Sequence, residues 1–298
     1  MIWLISIILS YFFFAFASLG DKIVLSGPSK PKSYTFFVGI FSVLAAFLIP
    51  FVEFCFPSGQ TLAWIILEAV VYVAGLYALF YALENFEVSR IVPTIGATQP
   101  IFIAVLSFLF WGFQSVETRN VLAFVVLLTG SVLISIDKNP KITRKSLEIG
   151  LITSLLFSLD FIFSKFVFLD MAFWPGFIWM RIFSFVFVLI FLFDKGFRKE
   201  MAEDNGMSKK TGILFLVTQA SGGAANILQS FSIAIAPVAY LAIMNSMKGI
   251  QYVFLFLMVV FVSCFMPKVL KEEMNKRVVL QKIVSIIIIV SGLAILIA

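Results

Sequence analysis

Apolar runs of about twenty residues follow one another along almost the whole chain. Of its 298 residues, 61% are hydrophobic and only 13% are charged. Polar breaks divide the chain into ten runs, each close to the ~20 residues that a helix needs to cross a bilayer. The runs lie at 2–24, 34–56, 61–83, 88–111, 118–136, 147–169, 174–195, 211–234, 238–264 and 278–298. Since backbone groups in lipid must be hydrogen-bonded within the segment, we expect an all-α polytopic membrane protein with ten transmembrane helices.

Basic residues are concentrated in the odd-numbered connections between these runs. Those connections hold Lys22, Lys30 and Lys32; Arg90; Lys138, Lys141, Arg144 and Lys145; Lys195, Arg198, Lys199, Lys209 and Lys210; and Lys268, Lys271, Lys276, Arg277 and Lys282. The opposite side has only Arg119, with Lys165 near the end of the sixth run. Because cytoplasmic loops are enriched in Lys and Arg, both termini are predicted on the non-cytoplasmic side of a plasma or inner membrane.

The two halves of the chain resemble each other weakly. Residues 1–136 and 147–298 each contain five runs, and residues 137–146 link them within a single membrane transport domain, 1–298. Lys22 and Lys165 end corresponding runs, and Thr129-Gly130 corresponds to Ser291-Gly292. An odd number of spans inverts the second copy, which is the architecture of many secondary transporters.

A sequence pattern in the first half resembles a known family. It consists of Tyr81-Ala82-Leu83, Val88-Ser89-Arg90-Ile91-Val92-Pro93, Gln99-Pro100-Ile101-Phe102 and Leu106-Ser107-Phe108-Leu109-Phe110-Trp111-Gly112. This pattern resembles the drug/metabolite transporter superfamily, in particular its ten-helix EamA branch. Two features depart from the family pattern: the acidic residue after the glycine is displaced to Glu117, and no proline in the second half lies opposite Pro100. The resemblance implies export or exchange of small metabolites, often amino acids, through a central cavity.

Four ionisable side chains lie well inside predicted spans: Glu68, Asp160, Arg181 and Lys248. Each costs at least ~2.5–3.5 kcal/mol at membrane depth unless it has a partner or a water-filled cavity. Depth counted at ~1.5 Å per residue places all four between the midplane and the external face. They could line a cavity in which two acids and two bases bind a zwitterion. Alternatively, Asp160 and Arg181, at similar depth on consecutive helices, form a purely structural ion pair.

Polar, uncharged side chains extend this candidate substrate site. Asn245 and Gln251 flank Lys248 at three-residue steps, and Gln219 and Asn226 share a face of the eighth run. The eighth run also carries small residues that permit close helix packing, which is an alternative explanation for its composition. Gln99 and Tyr81 complete the predicted site, although Tyr81 would suit a membrane-interface anchor equally well.

The residue inventory excludes several classes of function. The chain has no histidine, so it offers no metal centre or histidine-based triad, and we expect neither an enzyme nor a bound cofactor. A net charge of +6 does not indicate a nucleic-acid partner, because the basic residues occupy short loops. We expect a secondary transporter that exports a small polar, amino-acid-like metabolite. A proton-coupled exporter of cationic or lipophilic compounds and a non-transporting scaffold or lipid-handling protein are the alternatives. Coupling to a proton gradient and the oligomeric state are left open.

Overall fold

A computed structural model describes residues 2–25, 31–86, 88–112, 117–136, 143–198, 209–265 and 276–298, and over these residues it contains helices and no strands. The helices of the first half are α1 (Ile2–Leu25), α2 (Pro31–Phe41), α3 (Gly59–Asn85), α4 (Val88–Trp111) and α5 (Thr118–Ser135). Those of the second half are α6 (Arg144–Asp170), α7 (Phe173–Val188), α8 (Lys209–Ile235), α9 (Leu241–Ser246), α10 (Gly249–Phe265) and α11 (Lys276–Ile297). Short 3-10 segments extend α2 over Ser42–Phe51 and α7 over Leu189–Phe193, and Val238–Tyr240 precedes α9.

Within the described ranges, nine helical segments are long and apolar enough to cross a bilayer. They match nine of the ten predicted spans, and the chain is a multi-pass membrane protein. The segment that corresponds to the other predicted span, α8, is 27 residues long but is less apolar. Gln219, Asn226 and Gln229 in its middle account for the difference. Many of the basic residues that predict the orientation lie in connections outside the described residues, so the orientation stays a prediction.

Local sequence explains where α3 and α6, two antiparallel helices of 27 residues each, begin. Ser58 caps α3 by accepting a hydrogen bond from the backbone N–H of Thr61, at 3.2 Å. Thr143 and Ser146 form a reciprocal capping box at the start of α6. The Thr61 hydroxyl also donates a hydrogen bond to the carboxylate of Asp170, which ties the start of α3 to the end of α6.

The helices pack in pairs that cross between the halves. α1 packs along α8, α3 packs along α6, and α5 packs along α11. α4 lies against α6, and α1 also lies against α10. The largest buried apolar cluster joins α1, α3, α6, α7 and α9 through residues such as Ile7, Ile65, Ile162, Phe177 and Met244.

Two glycines allow the close crossing of α5 and α11. A Cβ atom on Gly130 would lie 2.7 Å from the Ile289 side chain, and one on Gly292 would lie 2.8 Å from the Leu127 side chain. Both distances are shorter than ordinary van der Waals contact, so larger residues would push the helices apart. Each glycine therefore meets the residue three positions before the other glycine.

Candidate binding cavity

A cavity of ≈ 720 Å³ lies in the middle of the helix assembly, between the two halves of the chain. Helices from both halves form its walls, and much of the surface is apolar, including the rings of Phe14, Phe157, Phe161 and Phe177. Small-molecule sites typically have volumes of about 300–1,000 Å³ and a few polar groups within apolar walls. The size and composition of this cavity are therefore those of a small-molecule binding site.

Six amide side chains line the cavity. They are Gln99 on α4, Gln219, Asn226 and Gln229 on α8, Asn245 on α9, and Gln251 on α10. The Oδ1 atoms of Asn226 and Asn245 are buried and have no hydrogen-bond partner among the described residues. A buried acceptor without a donor costs about 1–3 kcal/mol, so a bound molecule that donates to these atoms would gain affinity.

A break in the ninth predicted span positions Lys248. α9 ends at Ser246 and α10 begins at Gly249, and the backbone between them tightens to a turn in which the Lys248 N–H donates to the Asn245 carbonyl at 3.0 Å. Ser131 on α5 stabilises the break: its hydroxyl donates to the Ser246 carbonyl at 2.6 Å and accepts the Gly249 N–H at 2.8 Å. A Cβ atom on Gly249 would lie 2.3 Å from the Ser131 hydroxyl, so the break requires glycine there.

The Lys248 ammonium group faces the cavity and contacts a neutral acceptor. Its Nζ donates to Oε1 of Gln99 at 3.2 Å. Gln251, three residues further along, donates from Nε2 to the Ser18 hydroxyl at 3.1 Å. Within the described part of the chain, no carboxylate lies within ion-pair distance of Lys248. A cation at membrane depth without a counter-ion is costly, and an anionic group in the cavity would remove that cost.

Three charged side chains form a second cluster on the cavity wall. The Arg181 guanidinium donates from Nη2 to Oε1 of Glu68 in a buried ion pair, with side-chain exposures of 7% and 0% respectively. The guanidinium also lies over the ring of Tyr72, 4.2 Å from its centroid. Asp160, on the helix α6 that packs along α3, lines the same cavity. The alternative prediction, that Asp160 and Arg181 form an ion pair with each other, is wrong, because Arg181 makes its ion pair with Glu68.

The cavity brings together most of the predicted site residues. Eight of them line it: Lys248, Arg181, Asp160, Asn245, Gln251, Gln219, Asn226 and Gln99. Glu68 lies behind this lining and reaches it through Arg181. The structure does not place Tyr81 in the predicted site. Its side chain is 41% exposed and packs near Tyr77 instead of lining the cavity. The preceding residue, Phe80, occupies the wall, and one residue along a helix turns a side chain by about 100° away from that wall.

Sequence reasoning missed a polar group on α1 and α2. The Tyr34 hydroxyl donates to the carboxylate of Asp21, and Nε2 of Gln219 on α8 donates to the Tyr34 hydroxyl at 3.2 Å. Both Asp21 and Tyr34 line the cavity. Asp21 was given no role from the sequence, although its position inside a span that also contains polar Ser18 could have marked it.

Lys165 was also not assigned to a site, and it stabilises the end of a helix. Its Nζ donates to the backbone carbonyls of Ile233, Ala234 and Ala236 at 3.0, 3.1 and 2.7 Å. These carbonyls lie at the C-terminal end of α8, where the helix leaves acceptors unsatisfied and favours positive charge. All three ammonium hydrogens are used, so Lys165 joins α6 to α8 and is not available to a ligand in this arrangement.

Comparison with known proteins adds evidence on the fold alone. No protein-family model matches the sequence, and no curated protein matches it. Among the solved structures that match is one described only as a crystal structure of a protein, with a TM-score of 0.65 and 15% identity, covering 99% of this chain and 95% of the other. Identity at this level shows a shared fold along nearly the whole length.

No group of three or more potential metal ligands (His, Cys, Asp or Glu) occurs among the described residues.

Proposed function

We propose that the protein is a secondary transporter that exports a small carboxylate-bearing, amino-acid-like metabolite by alternating access through the central cavity. The observation that carries the proposal is the position of Lys248 at a helix break, facing a cavity of ≈ 720 Å³ with a neutral amide as its hydrogen-bond acceptor. Transporters commonly place substrate at the midplane, at the junction of two repeats and beside interrupted helices.

The charge arrangement favours a zwitterion. Lys248 offers a cation to a carboxylate, while Asp160 and the free amide oxygens of Asn226 and Asn245 offer acceptors to an ammonium group. The apolar walls leave room for a side chain. A simple cation would leave Lys248 unpaired, and a simple anion would leave the amide oxygens and Asp160 without a donor.

The packing supports ten helices arranged as two inverted repeats, with α8 as a tenth span. In such a repeat, α1 corresponds to α6 and α3 corresponds to α8, so the α1–α8 pair and the α6–α3 pair are equivalent. The α5–α11 crossing is reciprocal in the same way, since Gly130 meets Ile289 and Gly292 meets Leu127. Reciprocal contacts of this kind are the mark of a two-fold relation. Membership of the EamA branch of the drug/metabolite transporters, a location in the cell membrane and external termini belong to the same proposal.

Counterflow in proteoliposomes tests the function. Vesicles loaded with unlabelled glycine, L-leucine or L-phenylalanine are diluted into the labelled amino acid, and uptake of label is measured. We expect counterflow with at least one of these zwitterions and its loss in Lys248→Met. Lys145→Met, at an exposed lysine near the start of α6, is the matched control and should behave like the wild type.

Two outcomes would contradict the proposal. Equal counterflow in Lys248→Met and Lys145→Met would remove Lys248 from the site. Flux of the lipophilic cation tetraphenylphosphonium without flux of any amino acid would favour the exporter of cationic compounds, and no flux of any probe would favour the scaffold.

A further inference from the structure

A second cavity, of ≈ 280 Å³, lies where α4 ends and where α5 and the segment leading into α9 begin. It shares no lining residue with the central cavity. Ala104, Ala239 and Ala242 leave space between these helices, and none of the described residues that line the cavity is charged. Its volume is close to the lower limit of about 300 Å³ for small-molecule sites, so it can hold the polar end of a larger ligand.

Two residues that line this cavity have buried polar atoms without a hydrogen-bond partner among the described residues: Oδ1 of Asn120 on α5 and Oγ of Ser107 on α4. Asn120 is 4% exposed, and its Nδ2 donates to the Tyr240 hydroxyl at 3.1 Å, which fixes the side chain. Serines inside other helices, such as Ser184 and Ser232, donate to the carbonyl four residues earlier at 2.8 Å, whereas Ser107 does not. Buried polar atoms are nearly always paired, so these two atoms indicate a bound molecule that pairs them.

One side of this cavity faces the lipid. Phe108 and Val121 line it, and their side chains are 53% and 50% exposed on the outer surface of a multi-pass membrane protein. Asn120 lies about 3 Å from the start of α5, and Ser107 about 6 Å from the end of α4, so both lie near the membrane surface. Phe124, one turn deeper than Asn120, continues the wall as an apolar surface. A lipid has the same order, with its polar end at the membrane surface and its chains below.

The charges at the rim favour a neutral lipid over an anionic one. Arg119, next to Asn120, lies 3.5 Å from the carboxylate of Glu117, so the two charges compensate each other. The ligand must instead offer a donor to Oδ1 of Asn120 and an acceptor to the hydroxyl of Ser107. A glycerolipid with a free hydroxyl group has both, because its ester carbonyls are acceptors that lie deeper than the hydroxyl.

We propose that this second cavity binds a neutral glycerolipid with a free hydroxyl group, of the diacylglycerol type. The lipid hydroxyl donates to Oδ1 of Asn120, and an ester carbonyl accepts from the hydroxyl of Ser107. The acyl chains leave the cavity between Phe108 and Val121 and continue along the outer surface of α4 and α5. The site does not depend on the function proposed above, since it requires no transport.

α9 connects the lipid site with the central cavity. Ala242 and Ile243 on α9 line the lipid site, and Asn245 on the same helix lines the central cavity. α9 is only six residues long and is followed by the break beside Lys248. Because a bound lipid packs against this short helix, the backbone amides of Leu241–Ser246 should exchange with solvent more slowly when the site is occupied.

Native mass spectrometry of the delipidated protein in detergent tests the site with three matched probes. They are 1,2-dioleoylglycerol, its 3-acetyl ester and dioleoyl phosphatidate, which share their acyl chains and differ only at the third glycerol position. We expect one dioleoylglycerol per protein. The acetyl ester should bind more weakly, because it leaves Oδ1 of Asn120 without a donor, and the phosphatidate should not bind more tightly than dioleoylglycerol.

Two variants with matched controls locate the site. Ser107→Ala should weaken dioleoylglycerol binding about two- to twelve-fold, the effect of one hydrogen bond, and should leave the thermal midpoint of the lipid-free protein unchanged. Its control is Ser291→Ala on α11, an exposed serine whose hydroxyl donates to the Ile287 carbonyl at 2.9 Å. Ala242→Leu fills the cavity and should abolish binding, whereas Ala294→Leu, at an exposed position of α11, should not.

Several results would overturn the lipid site. They are no bound dioleoylglycerol in the wild type, equal affinity for its acetyl ester, tighter binding of the phosphatidate, or equal losses in Ser107→Ala and Ser291→Ala. Unchanged hydrogen exchange over Leu241–Ser246 with dioleoylglycerol bound would place the lipid elsewhere and overturn the site as well. If Ala242→Leu does not fold, Ser107→Ala still decides the matter, because its hydroxyl has no partner to lose in the lipid-free protein.

Discussion

Replacement of Arg181 should lower the free energy of unfolding far more than replacement of Glu68 or of Asp160. Arg181→Met leaves the fully buried Glu68 carboxylate without its ion-pair partner, and breaking one side of a buried pair costs about 3–5 kcal/mol. In Glu68→Gln the amide oxygen still accepts from the guanidinium, and Asp160, which lines the same cavity as Arg181, still supplies a carboxyl group there. We therefore expect a loss of about 1–2 kcal/mol there, which is the difference between a charged and a neutral hydrogen bond.

Equilibrium unfolding in mixed detergent micelles, followed by tryptophan fluorescence, measures both losses. Arg144→Met is the control, because the Arg144–Glu148 pair is exposed and spaced i, i+4, and such pairs contribute about 0.3–0.5 kcal/mol. The expected order of free-energy losses is Arg181→Met, then Glu68→Gln, then Arg144→Met. Equal losses in the first two would show that Asp160 does not compensate for Glu68 and would refute the reasoning.

Three further substitutions test other parts of the structure. Lys165→Met removes the donor for three carbonyls at the end of α8, and the amides of that last turn should exchange with solvent faster. Ser131→Ala leaves the Gly249 N–H unsatisfied at about 1–3 kcal/mol, so the midpoint of thermal unfolding should fall more than in Ser135→Ala, whose hydroxyl bonds within its own helix. Gly223→Leu places a side chain in open space beside the cavity, so titration calorimetry should show lost affinity for L-phenylalanine and retained affinity for glycine.

For each of these three expectations, one result would contradict it. Unchanged exchange in Lys165→Met would mean that the carbonyls find other donors. Equal midpoints in the two serine variants would mean that α5 does not stabilise the break beside Lys248. Equal losses of affinity for the large and the small amino acid in Gly223→Leu would point to a general disturbance of α8 and not to a loss of space.

The membrane spans could be predicted from the sequence because hydropathy and length are local properties of a segment. The runs predicted at 88–111 and 118–136 are the helices Val88–Trp111 and Thr118–Ser135. The polar stripe of Asn245, Lys248 and Gln251 lines the cavity. Its position follows from the cost of exposing polar groups to lipid, which can be judged from a single helix.

Partners across helices could not be read from the sequence in the same way. Counting residues gives the depth of a side chain in the bilayer, but not the neighbour that its helix faces. Asp160 and Arg181 have similar depth on consecutive helices, yet α3 packs along both α6 and α7 and brings Glu68 to Arg181. The helix break before Gly249 was missed because Ser131, from a distant part of the chain, stabilises it.

The energies of these contacts indicate where the proposed transporter opens. α3, α6 and α7 carry the buried cluster of Glu68, Asp160 and Arg181, and separating them would break an ion pair at about 3–5 kcal/mol. α2 meets α8 through a neutral hydrogen bond between Tyr34 and Gln219 and through ring contacts, and a neutral hydrogen bond contributes only about 0.5–1.5 kcal/mol. Residues of both α2 and α8 line the cavity, so alternating access should separate these two helices and move the three charged helices together.

A reversible cross-link tests this order of strengths. In a protein with Cys55 and Cys264 replaced by serine, the double variant Tyr34→Cys, Gln219→Cys should be bridged by a short bifunctional methanethiosulfonate reagent that stops counterflow, and reduction of the bridge should restore it. The single variant Tyr34→Cys treated with the same reagent is the control and should keep its flux. Undiminished counterflow with the bridge formed would place the moving contact elsewhere, because a helix pair that must separate cannot turn over while it is covalently joined.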